Sequence, residues 1–243
     1  MESSGPKISA ERLINLVIGL IGVLLVFAGI FFIKRLDLST VIVSVGASLI
    51  ASSIVAFLSS IYIQKYRRAK EMSEIWGINS VEDKRTIMNI RIDACTEKAK
   101  RHYDIMAFGL KSLRDGNHQG VVNMLERGTK IRILSVDPDC EALKERDVQE
   151  KKAPGSTALS IRQLQEWVND LSSKYQGQIQ LRLSKFLPSE FYCRVDDSIF
   201  VGPYQYGKES QQVFTIEFKN PGKAFSYYET YFNSIWNDPD YCQ

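Results

Sequence analysis

Two long apolar runs near the N-terminus, separated only by residues 34–37, limit what this chain can fold into. Residues 13–33 read LINLVIGLIGVLLVFAGIFFI, and residues 38–63 read LSTVIVSVGASLIASSIVAFLSSIYI. Roughly 20 apolar residues in a helix span a bilayer core, and neither run contains an ionisable residue. Two helices joined by so short a turn run antiparallel. The chain is therefore expected to cross a membrane and return, leaving everything after residue 64 on the side of the N-terminus.

Charge placement orients the hairpin. The net charge is +3, but QKYRRAK at 64–70 carries Lys65, Arg67, Arg68 and Lys70 without an acid. Basic residues beside a span favour the cytoplasmic side. Lys7 and Arg12 before the first run point the same way; Lys34 and Arg35 in the turn oppose it, partly offset by Asp37. Both termini are expected in the cytoplasm. A cleaved signal fits poorly, because the first run is long and ends in Phe31, Phe32 and Ile33 rather than a small-residue site. Cys95, Cys140, Cys193 and Cys242 form no CxxC pair, so no zinc site, metal or cofactor is expected, and free thiols suit a reducing compartment.

The second run carries Ser44, Ser48 and Ser52 at intervals of four, flanked by Ala47 and Ala51. Such a small-residue stripe lets helices approach closely. It suits either packing against the first span or association with other copies. No Asp, Glu, Lys, Arg or His lies within either run, which argues against a proton relay or an ion path.

The rest divides into a helical connector, 64–101, and a soluble domain, 102–243. In the connector the second helix is expected to continue to about residue 74, break at Gly77 and Asn79, and restart over 81–101 behind a Ser80/Asp83 cap. Beyond it, strand patterns at 103–109, 129–137, 178–184, 190–202 and 212–218 alternate with helical patterns at 120–128, 159–175 and 222–236. A hairpin turn is expected at Asp196-Asp197, and the polar stretch with Pro154-Gly155 reads as a loop between helical pieces. The fold class is an N-terminal two-helix transmembrane hairpin plus an α/β soluble domain, a mixed sheet with helices on both faces.

Ligands of α/β sheets gather at the carboxyl ends of parallel strands. Lys111 and Ser112 follow the first strand, Asp137 follows the second, and Arg194, Tyr204, Tyr206 and Lys208 belong to the later hairpin and its loop. Lys and Arg suit phosphate, the tyrosines suit stacking on a base, and Gly109 and Gly202 permit close backbone approach. The same residues also serve ordinary turns, packing and solubility.

FYCRVDDSIFVGPYQYG, preceded by GTKIRILSVDP and YDIMAFGLKSL, resembles the second half of a phospholipase D-like domain, over about residues 101–237. In that family a His-x-Lys strand leads to an Asp-rich turn and then to a strand ending in Gly-Ser-x-Asn. Here the His and Lys positions are Ser189 and Phe191 if Asp196 is the motif Asp, or Glu190 and Tyr192 if it is Asp197. Gly202-Pro203-Tyr204-Gln205 stands in place of Gly-Ser-x-Asn, and the only histidines are His102 and His118. The resemblance thus implies a phosphate-friendly cleft without the family's nucleophile and general acid, a pseudoenzyme. It also implies a second copy, since a single half of this family pairs to form its cleft: at least a homodimer.

Three functions fit. One is a membrane sensor–effector that binds a small anionic ligand, a cyclic nucleotide among the candidates, and controls a membrane-perturbing hairpin. Its plan resembles bacterial two-span effectors of antiphage defence, and no nucleic-acid polymer is expected as partner. Another is a membrane-bound phosphodiesterase or phospholipase-like enzyme whose unconventional site uses Asp137, Arg194 or Glu217 with His102. The last is a protein-binding scaffold, for which an exposed apolar face on the 222–236 helix would be the sign.

Overall fold

The computed structural model describes residues 10–32 and 35–242. Lys7, Ile33 and Lys34 lie outside the described residues. The chain divides into two compact units, Met1–Glu71 and Met72–Gln243, so the hairpin unit takes in the basic stretch that the sequence assigns to a connector.

The first unit is two helices, α1 (Ala10–Phe31) and α2 (Leu36–Lys70). Both are long and apolar enough to cross a membrane. Their contact is made where side chains vanish. A methyl group on Gly22 would stand 2.8 Å from the carbonyl oxygen of Gly46, and one on Gly46 2.7 Å from that of Gly22. Ser39 donates its hydroxyl to the Gly29 carbonyl at 2.7 Å, and Ser53 to that of Asn15 at 2.5 Å. Ser39, Val43, Gly46, Ile50 and Ser53 therefore form the face toward α1. Ser44, Ser48 and Ser52 are exposed, and Ser48 donates within its own helix to the Ser44 carbonyl at 2.9 Å.

In the second unit the strands are β1 (Ile78–Glu82), β2 (His102–Met106), β3 (Lys130–Val136), β4 (Ile179–Ser184), β5 (Glu190–Val195), β6 (Ser198–Pro203) and β7 (Thr215–Lys219). They form one sheet in the order β1-β7-β6-β5-β2-β3-β4. β2, β3 and β4 run parallel, and the remaining neighbours are antiparallel. The helices are α3 (Arg85–Thr96), α4 (His118–Glu126), α5 (Ala142–Gln149), α6 (Ser156–Lys174) and α7 (Lys223–Asn237).

Successive strand residues point to opposite faces, and the core divides accordingly. Ile105, Ile133 and Cys193 pack with Met88 and Ile92 of α3, Met124 and Leu125 of α4, and Leu164 and Val168 of α6. Their neighbours Met106, Leu134 and Tyr192 pack with Phe225, Phe232 and Trp236 of α7. This is the expected mixed sheet with helices on both faces. The aromatic side of α7 is core.

One expectation differs. The segment read as helix over 81–101 begins as β1, paired antiparallel with β7, and α3 starts only at Arg85. Ser80 does not cap a helix. Its hydroxyl donates instead to Glu217 of β7 at 3.2 Å, beside Asn79 at 2.7 Å and the Arg91 Nη2 at 2.6 Å. A buried carboxylate that needs donors outweighs a local capping preference. The expected turn at Asp196-Asp197 is observed, with Asp196 at φ 49°, a left-handed conformation Asp tolerates.

A cleft at the carboxyl end of β2

The chain leaves β2 toward α4, enters β5 and leaves β6 at the same end of the sheet, because β5 runs antiparallel to β2 and β6 antiparallel to β5. A cleft of about 1440 Å³ opens there. Its lining includes Phe108, Gly109, Lys111 and Ser112 after β2, Phe191 on β5, Tyr204 after β6, Arg85 at the start of α3, and Glu150, Lys152 and Ser210.

Arg85 is the unusual member. It sits on the buried stripe of α3 with Met88, Ile92 and Thr96, and is 3% exposed. Its Nε and Nη2 have no hydrogen-bond partner. Its guanidinium carbon lies 4.1 Å from the centroid of the Phe191 ring and 5.4 Å from that of Tyr204, so aromatic faces supply part of what water would. Gly202 of β6 lies close by and is needed for the approach of the next strand, since a methyl there would stand 2.6 Å from the Phe214 carbonyl oxygen. Burial lowers the Arg85 pKa from its ordinary value, with Tyr204 working against that shift. Arginine nevertheless stays charged in proteins.

A second arginine stands beside the first. Arg146, on α5, is 5% exposed, and its guanidinium carbon lies 5.0 Å from the Tyr204 centroid and 5.4 Å from that of Phe108. Its Nη2 pairs with Glu150 and donates to Ser210 Oγ at 3.3 Å. Ser210 donates to Glu150 at 2.9 Å, and Lys152 reaches the other Glu150 oxygen at 2.5 Å. Burial alone would raise the Glu150 pKa, but the Lys152 and Ser210 hydrogen bonds prevail and lower it. Burial raises the Tyr204 phenol to about 12, so at neutral pH it is a neutral hydroxyl between two guanidinium groups.

Of the residues singled out from sequence, Lys111, Ser112 and Tyr204 line this cleft. Arg194 lies on the α7 side of the sheet, paired with Glu229 at 2.6 Å and 5.2 Å from the Phe225 centroid. Asp137 accepts the backbone N–H of Asp139 at 2.8 Å in the turn after β3, and Tyr206 and Lys208 are exposed beyond the lining. Ser44, Ser48 and Ser52 belong to the other unit. The glycines expected to admit a ligand's backbone approach are filled by the chain itself, because a methyl on Gly109 would meet Ser160 Oγ at 2.2 Å.

The positions that the phospholipase D resemblance marks are occupied differently. Phe191 lines the cleft under Arg85, whereas Tyr192 points to the opposite face and stacks on Phe232 at 4.9 Å. The Asp196 carboxylate accepts three backbone N–H groups, from Lys100, Arg101 and His102. Burial raises its pKa, but those backbone hydrogen bonds outweigh it and the net shift is downward. Asp196 thus ties the β5–β6 turn to the entry of β2. His102 opens β2, at the end away from the cleft, and burial lowers its pKa. His118 accepts the Trp167 indole N–H at 2.9 Å. Among the described residues no group of His, Cys, Asp and Glu is placed to hold a metal.

Arg85, Arg146 and Glu150 escaped the sequence reading. The sequence puts the apolar face of α3 on Ile87, Ile90 and Ala94, but Ile87 and Ile90 are exposed and the buried stripe is Arg85, Met88, Ile92 and Thr96, so the signal pointed to the wrong face.

No protein-family model matches the chain, and no curated protein matches it. A number of solved structures are similar over part of it, the following three among them. TrmBL2, an archaeal chromatin protein, is 14% identical with a TM-score of 0.43, over 78% of this chain and 68% of its own. Phosphatidylserine synthase from Haemophilus influenzae Rd KW20 is 14% identical with a TM-score of 0.47, over 64% and 36%. Nuc from Salmonella typhimurium, a phospholipase D family member, is 14% identical with a TM-score of 0.39, over 61% and 86%.

Proposed function

We propose that this protein is a membrane-anchored sensor whose second unit binds a small anionic ligand in the cleft and whose α1–α2 hairpin is the output. The observation that carries the reading is Arg85. A cation 3% exposed with two unpaired nitrogens has its desolvation only partly offset by the Phe191 and Tyr204 rings, at a cost of about 1–3 kcal/mol, and an anion entering the cleft supplies the missing partner. Lys111 and Lys152, which also line the cleft, add attraction. A negatively charged small molecule is the class that fits, nucleotides included, and no polymer is required.

The cleft holds neither histidine of the chain, which favours binding over turnover. A phosphodiesterase using His102 would need it carried from the other end of β2, and Glu217 and Arg194 are already engaged in ion pairs. The exposed Ser44, Ser48 and Ser52 face is our choice for contact between copies, at least two, in the membrane. The setting we favour is an effector of bacterial antiphage defence at the inner membrane, with both termini cytoplasmic. That setting rests on plan alone.

The test is calorimetric titration of the full chain in nanodiscs with nucleotides and cyclic nucleotides, alongside Arg85→Met. Saturable binding lost in Arg85→Met supports the reading. Binding that survives Arg85→Met, or turnover of a phosphodiester, overturns it.

A further inference from the structure

The cleft holds an anion of its own. Glu150 is 7% exposed, lines the cleft with Lys152 and Ser210, and pairs with Arg146, which is absent from the lining. Arg146 is thus engaged by a carboxylate of the lining while not lining the cleft itself. Its Nε is buried without a partner, so one carboxylate leaves its donor set incomplete. Arg85 and Arg146 share the Tyr204 ring, at 5.4 and 5.0 Å, so both guanidinium groups flank one spot beside the cleft.

We propose that Glu150 is an internal stand-in for the ligand's anion: a phosphate group entering against Arg85 takes Arg146 from Glu150, which swings out with Lys152. The inference rests on the reading of the cleft as an anion site. Phosphate is the chemistry that suits it, because two guanidinium forks with three unpaired nitrogens between them call for more acceptors than one carboxylate offers. The displacement is feasible because Glu150 does not become an unpaired buried charge. Lys152 is half-exposed at 47% and already holds its second oxygen. The neighbouring Asp147 stays in place, accepting the backbone N–H of Gly155 at 2.8 Å and of Thr157 at 3.2 Å, so α5 and the start of α6 remain anchored while residues 150–154 move. Competition with an internal carboxylate also sets a threshold, since only a ligand binding the arginines better than Glu150 fills the site.

The test uses the full chain in nanodiscs with pyrophosphate as probe. Glu150→Gln keeps the shape and removes the competing charge, and it is expected to tighten pyrophosphate binding about tenfold. Arg85→Met is expected to abolish binding. Because Glu150→Gln leaves Arg146 less well neutralised and can unsettle the fold, amide exchange of the wild-type chain gives a readout without substitution. Pyrophosphate is expected to speed exchange at Lys151 and Lys152, whose N–H groups bond Val148 and Asp147 carbonyls. Arg85-dependent binding that Glu150→Gln does not tighten, or unchanged exchange at those amides, overturns the stand-in and keeps the anion site. No pyrophosphate binding by any variant overturns both.

Discussion

The guanidinium of Arg85 lies 4.1 Å from the centroid of the Phe191 ring, and Phe191 is one of the two positions on β5 where the phospholipase D resemblance leads one to look for a lysine. A cation is thus delivered to the cleft from α3 rather than from β5. Buried and short of partners, it is held at the expense of stability, which the proposed anion site would offset. Arg85→Met fills a similar volume without charge. Urea unfolding of the ligand-free full chain should show the variant as stable as wild type, or more so by about 1–3 kcal/mol. A loss of that size instead would mean that Arg85 is a structural group.

Glu217 ties the β1 edge of the sheet to its interior. It is 1% exposed and accepts from Asn79, Ser80 and Arg91, with Lys219 at 3.0 Å. Glu217→Ala should destabilise the second unit by about 1–3 kcal/mol, because Asn79, Ser80 and the half-exposed Arg91 and Lys219 lose their acceptor. Amide exchange should rise first in β1.

The same group sets an acid limit. Burial raises the Glu217 pKa, but the bonds from Asn79, Lys219 and Arg91 win and hold it below the ordinary 4.5. A depressed folded-state pKa contributes stability that is fully present above the unfolded value and lost as pH falls through the folded value. Asp196 is depressed from 3.8 and acts in the same sense. Stability should therefore hold steady above pH 4.5 and fall below it. Glu217→Gln should flatten that slope, as followed by denaturant midpoints from pH 3 to 7.

In the hairpin, the two faces of α2 should respond oppositely. Gly46→Leu places a side chain where a methyl already meets the Gly22 carbonyl oxygen at 2.7 Å, and should splay α1 from α2. Ser48→Leu, on the exposed face, should leave the pair intact and weaken association between copies. A Ser48→Cys chain in native membranes should crosslink to a second copy, and an equally exposed Val55→Cys supplies the comparison.

Much of this architecture is legible in the sequence because it rests on local periodicity. The apolar runs, the strand-rich second half, the Asp196-Asp197 turn and the aromatic α7 all follow from patterns within a few residues. β1 does not, because Asn79 and Ser80 are polar and answer to a carboxylate more than 130 residues on. The cleft was half legible. Lys111, Ser112 and Tyr204 follow from strand ends, whereas Arg194 lies one strand face away, a difference that period-2 alternation decides only once the register is known. Arg85 and Arg146 were hidden by the usual reading of arginine as a solvated surface residue.

The measurement closest to the central claim is mass spectrometry of small molecules carried through purification by the full-length chain and by Arg85→Met. The account predicts a phosphate-bearing small molecule with the wild-type chain that disappears from the variant. The same molecules on both chains, or none on either, would contradict it.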